Sequence, residues 1–138
     1  MTNTDLRVAL LLGVLYSIAI SSAIYFVGNL MFAEWISYIF FLVISTVPSI
    51  AVFTYLSKIN TKRDNIGLVL HSLWIGFTVS FISMLASTIL HDTFKERIYW
   101  DISSLEGFIW FLSFAIIGSL LFTPISYMFV RVKNRLTA

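Results

Sequence analysis

The sequence predicts an all-α integral membrane protein with four transmembrane helices, arranged as two antiparallel hairpins. Of its 138 residues, 59% are hydrophobic and only 12% are charged, about half the charged share of a water-soluble domain. Long apolar runs cover residues 8–28, 35–57, 66–90 and 105–130, and their only Asp, Glu, Lys or Arg is Glu106 at the start of the fourth. Each run exceeds the ~20 residues that a helix needs to cross a hydrocarbon core.

The length predicts a single domain over residues 1–138. Barrel strands are disfavoured because they alternate in polarity over about ten residues, whereas these runs are continuous. The absence of cysteine excludes disulfides and thiolate metal sites. A net charge of +2 does not indicate nucleic-acid binding here, because the cations are distributed over the ends of the predicted helices. We expect no cofactor.

The distribution of basic residues predicts the orientation in the membrane. With a cytoplasmic amino terminus, the outer connections carry only Lys95 and Arg97. The predicted inner segments carry Arg7, Lys58, Lys62, Arg63, Arg131, Lys133 and Arg135. Short cytoplasmic loops are enriched in Lys and Arg, so both termini are predicted to be cytoplasmic. Composition and short loops suggest a bacterial cell membrane.

The first apolar run has an alternative interpretation as a secretory signal peptide. Arg7 precedes the run, and Ser21-Ser22-Ala23 provides small residues of the kind found at cleavage sites. The run, however, continues through residues 24–27. This continuation favours an uncleaved transmembrane helix.

The second outer connection is predicted to contain a short amphipathic helix on the membrane surface. Phe94, Ile98, Ile102 and Leu105 recur at helical spacing, within an arc of about 80°. Ser103 and Glu106 have the spacing of a capping box at the start of the fourth helix, as Thr61 and Asp64 do before the third.

Two polar features are candidate functional sites. His91, Asp92 and Glu96 could bind a divalent metal from one helical turn, but zinc sites usually draw on three or four ligands, so a solvated helix end is favoured. Tyrosines aside, His71 is the only ionisable side chain well inside an apolar run. Ionisable groups within membranes are functional candidates, but no predicted helix offers His71 an acidic partner.

Small residues recur at helical spacing on three of the four predicted helices. Lipid tails are as apolar as leucine, so membrane helices associate through close packing, which small side chains permit. The residues predicted to pack helices together are Gly13, Ser17, Ser21, Ser72, Gly76, Ser80, Ser83, Ser87, Ala115 and Ser119. We favour this interpretation over the alternative, in which the hydroxyl groups line a path for a solute.

No motif for nucleophilic, metal-dependent or phosphate chemistry occurs in the sequence. We therefore expect a small polytopic membrane protein that is not an enzyme. Its expected partners are the lipid bilayer and either another membrane protein or further copies of itself, contacted laterally through helices. The alternative is a small oligomeric transporter or channel for an ion or an amphiphile.

Overall fold

The structure is a computed structural model that describes residues 3–32, 38–58, 64–94 and 102–136. These residues form four α-helices and, within those ranges, no strand. The helices are α1 (Asn3–Phe32), α2 (Tyr38–Lys58), α3 (Asn65–Phe94) and α4 (Leu105–Leu136). Each is long and apolar enough to cross a membrane, which confirms the all-α class and the predicted number of candidate spans.

The helices differ from the apolar runs mainly at their ends. The predicted run at 105–130 stops where the basic segment begins. The helix α4, in contrast, continues through that segment to Leu136. Arg, Lys and Leu are strong helix formers, so a change in polarity does not end the helix. Neither does proline: α2 continues through Pro48 and α4 through Pro124.

Side-chain caps define the starts of α3 and α4. The Gly67 N–H donates to Asp64 Oδ1 at 3.1 Å, and the Gly107 N–H donates to Ser104 Oγ at 3.0 Å. The backbone carbonyls of these two capping residues also accept the first helical hydrogen bonds, as expected at N-cap positions. Asp64 is therefore the N-cap of α3, and Ser104 is the N-cap of α4.

The predicted surface helix falls largely outside the described residues. α3 ends at Phe94, and a turn at residues 102–104 leads into α4. Ile98 and its neighbours lie between these two points, in the part of the chain not described, so the surface helix remains a prediction.

Within the described ranges, the helix backbones pack in a ring. α1 packs against α2, α2 against α3, α3 against α4, and α4 returns to α1. The core combines small residues with a few large side chains, among which Tyr16, Phe53, Phe111 and Phe122 are almost fully buried. The outer surface carries bulky apolar residues, including Phe26, Val47, Ile89 and Leu120. A bundle with large apolar groups outside and serines inside suits a hydrocarbon solvent.

Candidate functional site

The helices α1 and α2 approach each other closely at Gly13. A Cβ added to this glycine would lie 2.7 Å from the Ile50 Cα and 3.0 Å from the Ile50 backbone nitrogen. Backbone atoms cannot rotate away as a side chain can, so the two helices approach this closely only because residue 13 has no side chain.

Hydroxyl groups continue this contact along the same two helices. Ser17 Oγ lies 3.3 Å from Thr46 Oγ1, and Ser21 Oγ lies 3.4 Å from Ser45 Oγ. Ser17 also donates to the carbonyl of residue 14, and Thr46 to that of residue 42. Each hydroxyl has a single hydrogen, and Ser17 and Thr46 both use theirs within their own helix. The contact between these two hydroxyl groups is therefore weak. Close packing therefore contributes more than hydrogen bonding to this helix pair.

The contact between α3 and α4 also involves glycine, with backbone opposite Gly76 and a rotatable side chain opposite Gly118. A Cβ at Gly76 would lie 2.9 Å from the Ser119 carbonyl oxygen, and a Cβ at Gly118 would overlap Ser80 Oγ. Ser119 Oγ donates to the Leu73 carbonyl oxygen at 3.0 Å. This bond joins the two helices directly, because donor and acceptor belong to different helices.

All the residues that the sequence singled out for helix packing lie in the interior. Gly13, Ser17, Ser21, Ser72, Gly76, Ser80, Ser83, Ser87, Ala115 and Ser119 are all buried. Ser72 and Ser87 donate to carbonyls of their own helix. Ser83 differs, because its buried Oγ has no hydrogen-bond partner among the described residues. The interior thus holds a set of hydroxyl groups that are mostly, but not entirely, satisfied.

Tyr16 is a central residue that is not among those predicted to pack the helices together. It is 0% exposed, and its Oη lies 2.7 Å from Ser126 Oγ on α4. Ser126 already donates its hydrogen to the Phe122 carbonyl, so Tyr16 donates and Ser126 accepts. The Tyr16 ring lies 5.4 Å from the rings of both Phe53 and Phe129. Tyr16 therefore joins α1 to both α2 and α4.

One signal could have indicated this role. Tyrosine in membrane helices is enriched at the two interfaces, whereas Tyr16 lies well inside the first apolar run. A phenol at that depth needs a partner for its hydroxyl. The position therefore predicts burial against a polar group on another helix, although the sequence does not identify Ser126.

The ionisable candidates are not brought together. His71 is half-buried, and its Nδ1 lies 2.9 Å from the Gly67 carbonyl oxygen of the same helix. A carbonyl only accepts, so Nδ1 carries the hydrogen. The side chains of His91 and Asp92, and all of Glu96, lie outside the described residues. The described side chains contain no group of three metal-ligating residues.

A buried lysine links the ends of α2 and α4 across the bundle. Lys133 is 5% exposed, and its Nζ donates to the Leu56 carbonyl oxygen at 2.7 Å. α2 ends at Lys58, so Leu56 lies in the last turn, where carbonyls lack helical N–H partners. A cation at this position also interacts favourably with the helix dipole. Lys133 therefore caps α2.

Replacing Lys133 by methionine is expected to destabilise the bundle. The K133M variant keeps the apolar stem but removes the donor to Leu56, which should lower the free energy of unfolding by about 1–3 kcal/mol. SDS titration in mixed micelles, followed by circular dichroism, measures this loss. The matched control is K58M, because Lys58 is exposed at the end of α2 and should change stability by less than about 0.5 kcal/mol. Equal effects of both variants would contradict the capping role.

The described helices define an all-α protein whose four helices are long and apolar enough to cross a membrane. Comparison of the chain with protein-family models, curated proteins and solved structures gave no match. Its function is therefore inferred from its own contacts and exposed surfaces.

Proposed function

We propose that this chain is a multi-pass protein of a bacterial cell membrane, crossing it as two antiparallel hairpins. Contacts between α1 and α2 support the first hairpin. Gly13 faces Ile50, while Ser17 faces Thr46, so residue numbers rise along one helix as they fall along the other.

Contacts between α3 and α4 support the second hairpin in the same way. Ser119 bonds to Leu73, and the Phe81 and Phe111 rings lie 5.2 Å apart. Leu73 precedes Phe81 on α3, whereas its partner Ser119 follows Phe111 on α4, as expected for two antiparallel helices. The basic residues at the start of α1 and at the ends of α2 and α4 support a cytoplasmic location of both termini.

Within the membrane, we propose a non-enzymatic role that depends on lateral contact with a membrane partner or with further copies of this chain. The observation that supports this proposal is that small residues lie at the helix contacts in the bundle interior, while bulky apolar residues cover its outer surface. Glycine contacts at residues 13, 76 and 118 bring the helices of each pair into close contact. The small-residue sets are buried in these contacts, so a partner would meet the bulky outer faces instead.

The outer face of α4 is the best-supported contact surface. Only 22% of its most apolar segment is buried, compared with 50% for α2. Seven of its exposed apolar residues fall within an arc of about 140°. They are Ile109, Trp110, Ile116, Ile117, Leu120, Leu121 and Met128. This surface, called the α4 face below, extends along roughly 28 Å of helix.

Pro124 provides a second reason to place a partner on the α4 face. Proline has no N–H, so the Leu120 carbonyl lacks its usual helical donor. Pro124 and the Leu120 side chain are both exposed, whereas Pro48 of α2 is buried within the bundle. Carbonyls freed in this way are usually satisfied by neighbouring helices. A partner helix that presents a hydroxyl group could satisfy this one.

Single-cysteine cross-linking tests this proposal without background, because the chain contains no cysteine. We expect L120C, in native membranes, to form a specific cross-linked product that mass spectrometry identifies as a membrane protein or as a dimer of this chain. The matched control is V47C, which lies on an outer face of α2 and is 74% exposed. Equal cross-linking of both variants, or a strictly monomeric protein with no co-purifying partner, would contradict a contact through the α4 face.

A second candidate function, a small oligomeric transporter or channel for an ion or amphiphile, is favoured by Ser83. Its buried Oγ has no partner among the described residues, an arrangement that costs about 1–3 kcal/mol. A polar solute passing this point would offset that cost. Flux through proteoliposomes that falls in the S83A variant would support this candidate, and the absence of flux of ions, lipids and amphiphiles would exclude it.

A further inference from the structure

The described cations are gathered at one end of the bundle. Arg7 lies near the start of α1, Lys58 at the end of α2, and Arg131, Lys133 and Arg135 in the last turns of α4. The Lys133–Leu56 bond joins the ends of α2 and α4. Among the described acids, Asp5 and Asp64 lie at this same end, at the starts of α1 and α3, whereas Glu106 lies in the first turn of α4, at the opposite end.

Two arginines in the last turns of α4 are oriented toward the surroundings of the bundle. Arg131 and Arg135 are exposed and lie one turn apart on the same side of the helix. The Arg131 Cζ lies 5.5 Å from the centroid of the Tyr127 ring, within the range of a cation–π interaction. Tyr127 in turn packs against the core. Among the described residues, neither arginine forms an ion pair.

An exposed apolar row runs beside these arginines. Met128, Val132 and Leu136 also recur at four-residue spacing, and they are 66%, 43% and 56% exposed. The row is displaced by about 100° from the row of Tyr127, Arg131 and Arg135. The end of α4 therefore presents a basic row and an apolar row side by side.

We propose that this surface is a docking site for an anionic phospholipid, with the phosphate at Arg131 and Arg135 and an acyl chain along the apolar row. Guanidinium groups form bidentate hydrogen bonds with phosphate oxygens. The Tyr127 ring holds one guanidinium in place, which reduces the ordering needed on binding. A soluble anion would use the basic row alone, whereas a lipid matches both rows. This inference rests on the proposed membrane location and does not require a partner on the α4 face, although Met128 belongs to both surfaces.

Lipid titration of the purified full-length chain tests the site. Delipidated protein in a nonionic detergent is titrated with phosphatidylglycerol and, in parallel, with phosphatidylcholine, and bound lipid is counted by native mass spectrometry. We expect preferential binding of phosphatidylglycerol, and a roughly tenfold or greater weakening in the R131Q/R135Q variant. The Y127L variant keeps every charge and should weaken binding by about two- to fivefold, because it removes only the cation–π contact.

A charge-matched control distinguishes lipid binding at this site from a general attraction between the protein's positive charge and anionic lipid. R7Q/K58Q also removes two exposed cations from the same end of the bundle, and it should weaken phosphatidylglycerol binding by less than about threefold. Equal losses in the two double variants would overturn the proposal, as would equal binding of both lipids or an unchanged affinity in Y127L. Membrane integration of the same variants, measured by carbonate extraction, reports separately on the membrane location.

Discussion

Replacing Gly13 by leucine is expected to separate α1 from α2 and to cost about 3 kcal/mol or more of unfolding free energy. Even a Cβ would lie 2.7 Å from the Ile50 Cα, and real Cβ atoms do not approach backbone atoms so closely. The remaining leucine carbons would increase the separation further. Contacts of Ser17 with Thr46 and of Ser21 with Ser45 would lengthen as well.

The SDS mole fraction at half-unfolding in mixed micelles measures this effect. V14L is the matched control, because Val14 is the next residue but is 39% exposed. It should change stability by less than about 0.5 kcal/mol. The G13A variant should fall between the two, because the gain in helix propensity, about 1 kcal/mol, partly offsets the clash. Indistinguishable midpoints for G13L and V14L would show that α1 and α2 do not approach each other as closely as described.

Replacing Tyr16 by alanine is expected to produce the second large loss of stability. The variant removes a fully buried ring, its contacts with Phe53 and Phe129, and the donor to Ser126. Aromatic-to-alanine changes cost about 3–5 kcal/mol in water-soluble cores. Part of that cost is transfer to water, and a side chain in a membrane has lipid as its alternative. We therefore expect about 2–3 kcal/mol here.

Two further variants serve as controls. One measures the contribution of the Tyr16 hydroxyl alone, and the other measures the loss of a tyrosine at an exposed position. Y16F removes only the hydrogen bond to Ser126 and should cost roughly 0.6 kcal/mol, the average for interhelical bonds in a membrane protein. Y55A removes a tyrosine of α2 that is 52% exposed and should cost less than about 1 kcal/mol. A loss in Y16A no larger than that in Y55A would contradict the central position of Tyr16.

Variants of interior residues and of the α4 face are expected to affect different properties, the stability of the bundle and the binding of a partner. Gly13 and Tyr16 are interior residues, so their loss should weaken the bundle as a whole. Leu120 lies on the α4 face, and a polar substitution there should reduce lateral association while leaving the fold intact. Comparison of unfolding midpoints with cross-linking yields therefore distinguishes a damaged bundle from a damaged interface.

Several elements were predictable from the sequence because their signals are local. The length of each apolar run is set by the thickness of the hydrocarbon core, and four helices of suitable length and polarity are observed. The four-residue spacing that singled out Gly13, Ser17 and Ser21 requires only the geometry of a single helix. The bundle interior contains all three residues.

Other elements depended on contacts between distant parts of the chain. Ser126 accepts from Tyr16, which lies 110 positions earlier, and no spacing rule connects the two residues. Lys133 was predicted only as one of the cytoplasmic basic residues, and its burial against Leu56 depends on where α2 ends. The N-cap of α4 is ambiguous in the sequence for a different reason, because Ser103 and Ser104 are adjacent and chemically equivalent; in the structure, Ser104 accepts from the Gly107 N–H.

The sequence by itself determined the all-α class, the number of apolar helices and the residues on each helix that are small enough to permit close approach. Those properties follow from the polarity and geometry of single segments. Only the tertiary structure decided that Gly13 meets Ile50, that Gly76 meets Ser119, and that α4 keeps the most exposed face. In a membrane, bulky and small apolar faces differ little in solvation. The choice of which faces meet therefore depends on shape complementarity between whole helices, which a single segment does not contain.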